Sequence, residues 1–139
     1  MTEQEGIWNA LHDHLYTVFN RDAAGYAASV MPDLSLYEWF VTPNRQDGVE
    51  FHLFMIENAW AGTQDGNWRY DLLEPKLQVY GDTAIVSYTF MLTISGPEGI
   101  NHRTHNESRV LIKHEDGWKV VHVHKSPAWK APWQRPEND

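Results

Sequence analysis

An α+β fold, with N-terminal helices packed on one face of a curved, mainly antiparallel sheet, is what this sequence predicts. Three observations carry the prediction. Apolar residues recur at helical spacing through the first twenty positions. From Trp68 the period switches to two, most clearly in TAIVSYTFMLTI at 83–94. Turn signals at Gly81-Asp82, Ser95 to Gly99 and Glu115-Asp116-Gly117 divide that region into hairpin-linked strands. Helices followed by a run of strands make one two-layer domain, 1–139, with a Pro- and Trp-rich tail from 128.

Each element follows from local chemistry. Thr2 and Glu5 form a capping box, and Ile7, Leu11, Leu15 and Val18 continue it as a helix over 3–20. Asp22 caps a second short helix over 23–30, which Pro32 closes. Residues 34–40 form a short strand, broken by Thr42-Pro43-Asn44. Asp47-Gly48 opens a third helix with Phe51, Phe54, Met55 and Ala59 on one face, and Gly62 to Gly66 is a polar loop. Strands are expected at 72–79, 83–94, 102–114 and 118–126. In the second of these, Ala84, Val86, Tyr88, Phe90, Leu92 and Ile94 form an apolar face. Thr83, Ser87, Thr89 and Thr93 lie on the other, so one side is core and the other is wet or covered by a partner. Three helices cover one sheet face only, which leaves the other for a second subunit.

Composition narrows the function classes. Seven Trp, six Tyr and five Phe supply a large core, and the absence of Cys excludes disulfides and thiolate metal sites. No apolar run approaches the ~20 residues of a membrane span, and the acidic start MTEQEG lacks the pattern of a signal peptide. A soluble cytoplasmic protein is expected. A net charge of −8 disfavours nucleic acid and anionic membranes as partners. Protonating the eight histidines would cancel that charge, so solubility should fall as pH drops through ~6.5.

Three stretches resemble one known family. Residues 48–60, GVEFHLFMIENAW, are similar to its Gly-x-x-Phe-His-x-Phe-x-x-Glu-Asn segment. Residues 79–88, VYGDTAIVSY, are similar to its Gly-Asp/Glu-x-Ala strand entry. Residues 107–126, from Glu107-Ser108-Arg109-Val110 through Asp116-Gly117-Trp118 to His122-Val123-His124-Lys125-Ser126, are similar to its closing strands. The family is the association domain of calcium/calmodulin-dependent protein kinase type II, in the nuclear-transport-factor-2-like, SnoaL-like superfamily of cone folds. The chain resembles a free-standing relative without a kinase domain. The resemblance implies a conical half-barrel, a deep pocket between helices and sheet, and homo-oligomers (a dimer or a larger ring) built through the open sheet face. It also implies a pocket that three arginines line in the kinase's association domain. Here Arg109 stands at one of those positions, Lys125 at the second and Phe90 at the third, with Arg103 able to reach in from the neighbouring strand end. A cationic and aromatic pocket is the expectation. Arg109 and Lys125 would hold a carboxylate or similar small anion, with Tyr37, Trp39, Tyr88 and Phe90 as the apolar wall.

Structural readings stand beside these. Glu107 and Arg109, two apart on one strand face, form either a buried ion pair or a ligand contact. Tyr88 is core, with its hydroxyl on a polar partner. Tyr37 and Trp39 flank Glu38, and parity leaves open which side lines the cone mouth. His122 and His124 share a face, but no third ligand has a defined spacing, so no metal and no cofactor is expected. His102 and His105 are expected at a loop edge, and His12 and His14 on solvated helix faces.

Two function classes follow. One is a homo-oligomerising small-ligand-binding domain without chemistry. The other is a cofactor-free lyase or isomerase of the polyketide-cyclase or ketosteroid-isomerase type, for which Glu107, His105 and Glu38 are the candidate acid–base residues. A metal-free iota-class carbonic anhydrase is a narrower variant: Tyr88-Thr89-Phe90 and Ser126 resemble that group, while its His-His-Ser-Ser ending is absent.

Overall fold

The computed structural model describes residues 1–58 and 67–128. Its elements run α1 (Glu3–Phe19), α2 (Ala23–Ala28), β1 (Val30–Glu38), β2 (Thr42–Asp47), α3 (Glu50–Asn58), β3 (Asn67–Tyr80), β4 (Thr83–Gly96), β5 (Gly99–His114) and β6 (Gly117–Pro127). The six strands form one sheet in the order β2-β1-β6-β5-β4-β3. Every pairing is antiparallel except β1 with β6, which β2, α3 and strands β3 to β5 separate in sequence. Register shifts between Val30 and Ser35, Leu73 and Lys76, and Val110 and Leu111 bend the strands, and the helices lie in the hollow of the resulting curved sheet.

The Thr2–Glu5 capping box starts α1, which buries Ile7, Leu11, His14 and Leu15 in one stripe. Asp22 caps α2 by accepting from the Gly25 backbone N–H at 2.9 Å. A side chain at position 25 would lie 2.3 Å from that carboxylate and 3.1 Å from Thr17, so any residue but glycine would have to displace the capping side chain. On the inner face of the sheet Ala84, Val86, Tyr88 and Phe90 alternate in burial with Ile85, Ser87 and Thr89. They meet Ile7, Leu11, Leu15, Tyr26, Leu34, Leu36, Leu111, Val120 and Val123 in one core.

Three local expectations are corrected. Pro32 belongs to β1 and does not close a helix; it falls in the gap between Val30 and Ser35, where pairing with β6 is interrupted and no N–H is needed. Thr42-Pro43-Asn44 begins a strand, because β2 is a sheet edge and an edge tolerates proline. On α3 the inward face is His52, Met55 and Ile56, while Phe51 and Phe54 are 49% and 60% exposed. His52 takes that face because its ring stacks on Tyr26, 4.4 Å between centroids. Ala59, the loop from Gly62 to Gly66 and the tail from 129 lie outside the described residues.

Candidate functional site

Strand alternation sets a transverse row of polar groups on the inner face of the sheet. Glu38 of β1 stands opposite Lys125 of β6, Lys125 opposite Glu107 of β5, and Glu107 opposite Tyr88 of β4. The adjacent row toward the hairpin turns holds Leu36, Val123, Arg109 and Val86. The adjacent row on the other side holds Pro127, His105 and Phe90.

Glu107 is the hub of one cluster. Tyr88 Oη donates to its Oε1 at 2.6 Å, and Arg109 Nη1 donates to Tyr88 Oη at 2.7 Å and also to Glu107 Oε1. The other oxygen, Oε2, is bonded to His105 Nε2. Glu38 is the hub of a second cluster. Lys125 Nζ donates to its Oε2 at 2.7 Å, Gln46 Nε2 to its Oε1 at 3.4 Å, and His52 Nδ1 lies 3.6 Å from Oε1. From the helices, His14 and Tyr26 complete the enclosure. Their rings are 5.1 Å apart, and His14 Nδ1 shares a 2.8 Å hydrogen bond with Ser29 Oγ. Glu38, Glu107 and Arg109 are 0%, 4% and 3% exposed.

Charge in such a setting must be compensated. Burial works against ionisation of Glu107, but Arg109, the His105 hydrogen bond and Lys125 outweigh it, and the carboxyl is held well below the usual carboxylate range. Burial opposes the Glu38 carboxylate too, and Lys125 and His52 bring its pKa below the ordinary value. Burial likewise disfavours the Arg109 cation, and Glu107 more than restores it. Burial drives the His52 pKa down to about 4 against the pull of Glu38. Burial, then the Arg109 charge, lowers that of His14 well below the ordinary imidazole value. Both imidazoles are therefore neutral near pH 7, and two cations face two carboxylates. Burial raises Tyr88 and Tyr26 well above the phenol range, so both hydroxyls are protonated. His14 Nε2, Tyr26 Oη, Gln46 Oε1 and Arg109 Nε are buried without a hydrogen-bond partner among the described residues.

Of the residues singled out in the sequence, Glu38, Tyr88, Phe90, Glu107, Arg109 and Lys125 come together here. Trp39 reaches the exposed end, with its ring 5.7 Å from His105. Tyr37 does not join them. One residue out of phase with Leu36 and Glu38, it lies on the outer face against His124, 5.0 Å between centroids. Arg103 is exposed. His105 is not a loop-edge residue; it lies within β5, opposite Phe90, with its ring stacked on that side chain at 5.2 Å. His14 is buried instead of solvated, and His12 bonds the Tyr70 hydroxyl at 2.6 Å. On the outer face His122 bonds Ser35 Oγ, and among the described residues no group of three ligand-type side chains surrounds the His122–His124 pair. His14, Tyr26, Gln46 and His52 were missed. Two of them carried a signal: His14 falls on the 7-11-14-15 stripe, and His52 stands three and four before Met55 and Ile56.

Helices enclosed by a curved six-stranded sheet, with a polar cluster between the layers, define a nuclear-transport-factor-2-like cone fold. A superfamily member from Salmonella enterica superposes with a TM-score of 0.72 at 22% identity, covering 96% of each chain. Residues 3–129 match the family described as the calcium/calmodulin dependent protein kinase II association domain, and the chain belongs to that family. It is 30% identical over 112 residues to the Drosophila melanogaster calcium/calmodulin-dependent protein kinase type II alpha chain, a match covering 78% of this chain and 21% of the kinase. The chain thus spans about a fifth of the length of that relative. The hub of the S. rosetta kinase superposes with a TM-score of 0.78 at 27% identity, covering 89% of this chain and 95% of the hub. No helix among the described residues is long and apolar enough to cross a membrane.

Proposed function

We propose that this chain is a self-assembling association domain whose interior binds a small anionic ligand. Membership of the association-domain family over residues 3–129 is the observation that carries assembly. The outer face of β4, β5 and β6 is the surface for it. That face is part-exposed and mixed, with Ile85, Met91, Val110 and Ile112 among Ser87, Ser108, His122 and His124.

The ligand reading rests on Arg109 and Lys125, backed by Tyr88, Phe90 and Trp39. Each cation already holds a carboxylate of the chain, so a ligand anion exchanges with Glu38 at Lys125 and meets the unpartnered Arg109 Nε and Tyr26 Oη. Such an anion adds negative charge beside His52, whose protonation Lys125 and Arg109 oppose. Binding is therefore coupled to proton uptake and tightens as pH falls from 7 toward 5. Calorimetric titration with short-chain carboxylates, in two buffers of different ionisation enthalpy, tests this. Protons taken up on binding, and loss of binding in Lys125→Met, support it; carboxylate affinity that ignores both pH and Lys125 contradicts it.

A further inference from the structure

His105 is part of the inner face, yet ligand capture by Arg109 and Lys125 gives it no task. Its Nε2 is bonded to Glu107, whose other oxygen is taken by Arg109 and Tyr88. A carboxylate kept ionised only accepts hydrogen bonds, so Nε2 carries the hydrogen and Nδ1 the lone pair. Nδ1 lies on the ring edge turned away from Glu107, and no described residue bonds it. The side chain is 17% exposed, while the carboxylate behind it is 3% exposed. Aromatic rings surround this outlet. Phe90 stacks on the imidazole, Trp39 meets it at 5.7 Å and Phe40 at 6.4 Å. Phe40 is 53% exposed, and Lys125 Nζ lies 5.6 Å from its centroid. An oriented imidazole, an exposed aromatic wall and an ammonium thus share one mouth.

We propose that His105 is a general base acting on a planar, enolisable carbonyl compound that rests against Phe40. Nδ1 takes the proton from the carbon beside the carbonyl. The C–H electron pair becomes the carbon–carbon double bond of an enolate, and the carbonyl π pair moves onto oxygen, where the Lys125 ammonium favours the new charge. Where the substrate carries a further double bond beside that carbon, the imidazolium, stabilised by Glu107, returns the proton to the far carbon of that bond as the electron pairs shift toward the re-formed carbonyl, so the product is the conjugated isomer and no co-reactant is consumed. Glu107 and Arg109 are positioning residues. This step goes beyond ligand binding and stands whether or not the chain assembles.

The probe is 5-nitrobenzisoxazole, a flat aromatic compound whose ring C–H is removed by base as its N–O bond breaks, giving a coloured cyanonitrophenolate without any co-reactant. General bases contribute roughly 100- to 10,000-fold in enzymes, so at least a tenfold excess of the full chain over its His105→Gln variant is expected. His102→Gln, which alters an exposed histidine three positions away, should keep the wild-type rate. Glu107→Asp retracts the carboxylate from Nε2 and should lower kcat more than KM changes. Should Gln at 105 disturb the circular dichroism spectrum, His105→Asn carries the same comparison. A wild-type rate no greater than that of the folded position-105 variant at every pH overturns the proposal, as does an equal loss in His102→Gln. Either result leaves solution mass and carboxylate titration untouched, so failure here is distinguishable from failure of the binding reading.

Discussion

The two faces of strands β4, β5 and β6 are made from the same segments and obey different rules. On the inner face, Tyr88, Glu107, Arg109 and Lys125 are enclosed, and each is fixed by at least one charged or polar neighbour. On the outer face, Thr89 bonds Asn106 at 2.8 Å and His122 bonds Ser35, and these side chains are part-exposed or exposed. The difference is solvent. Inside, an unpaired charge loses hydration and gains nothing, so pairing is obligatory; outside, water substitutes for any missing partner. The inner face should therefore control folding, and under the proposed function the outer face controls association.

The largest effect expected is at Glu107. Glu107→Gln leaves the Arg109 guanidinium enclosed without a countercharge and should cost about 3–5 kcal/mol in urea unfolding. The double variant Glu107→Leu with Arg109→Met should lose less than Glu107→Leu alone, since no charge is then stranded. A double variant that loses the full sum would break the pairing argument. Lys125→Met should cost about 2 kcal/mol by stranding Glu38, which Gln46 still partly serves.

Acid is the next lever. His52 and His14 have lowered folded values, so the unfolded chain binds protons first and stability falls as pH drops from 6.5 toward about 4. Glu38 and Glu107 have depressed folded values, so their contribution is intact above the ordinary carboxylate value of 4.5 and is lost below it. Urea midpoints measured across the range should slope downward in two stages, and His52→Gln should flatten the upper one. The smallest effect on folding is expected outside: His124→Glu should leave the unfolding midpoint unchanged while lowering the mass in solution.

The α+β order and the hairpin turns were legible in the sequence because period and turn chemistry are local. So was the Glu107–Arg109 pair, two residues apart on one strand. The Lys125–Glu38 pair was not, because 87 positions separate its members and only the parallel β1–β6 pairing joins them. β2 was hidden by Pro43, which an edge strand tolerates, and the helix faces bearing His14 and His52 were obscured because histidine reads as polar. Parity alone does not place Tyr37, which the sequence reading puts in the apolar wall; burial of Leu36 and Glu38 turns it outward.

Light scattering after size exclusion near pH 7.5 tests the central claim of self-assembly most directly. The chain has a mass of 16.2 kDa. A discrete, concentration-independent multiple of that mass, reduced by His124→Glu and kept by His105→Gln, is expected. A monomer at all concentrations, or a mass that inner-face substitutions shift and outer-face substitutions do not, would contradict it.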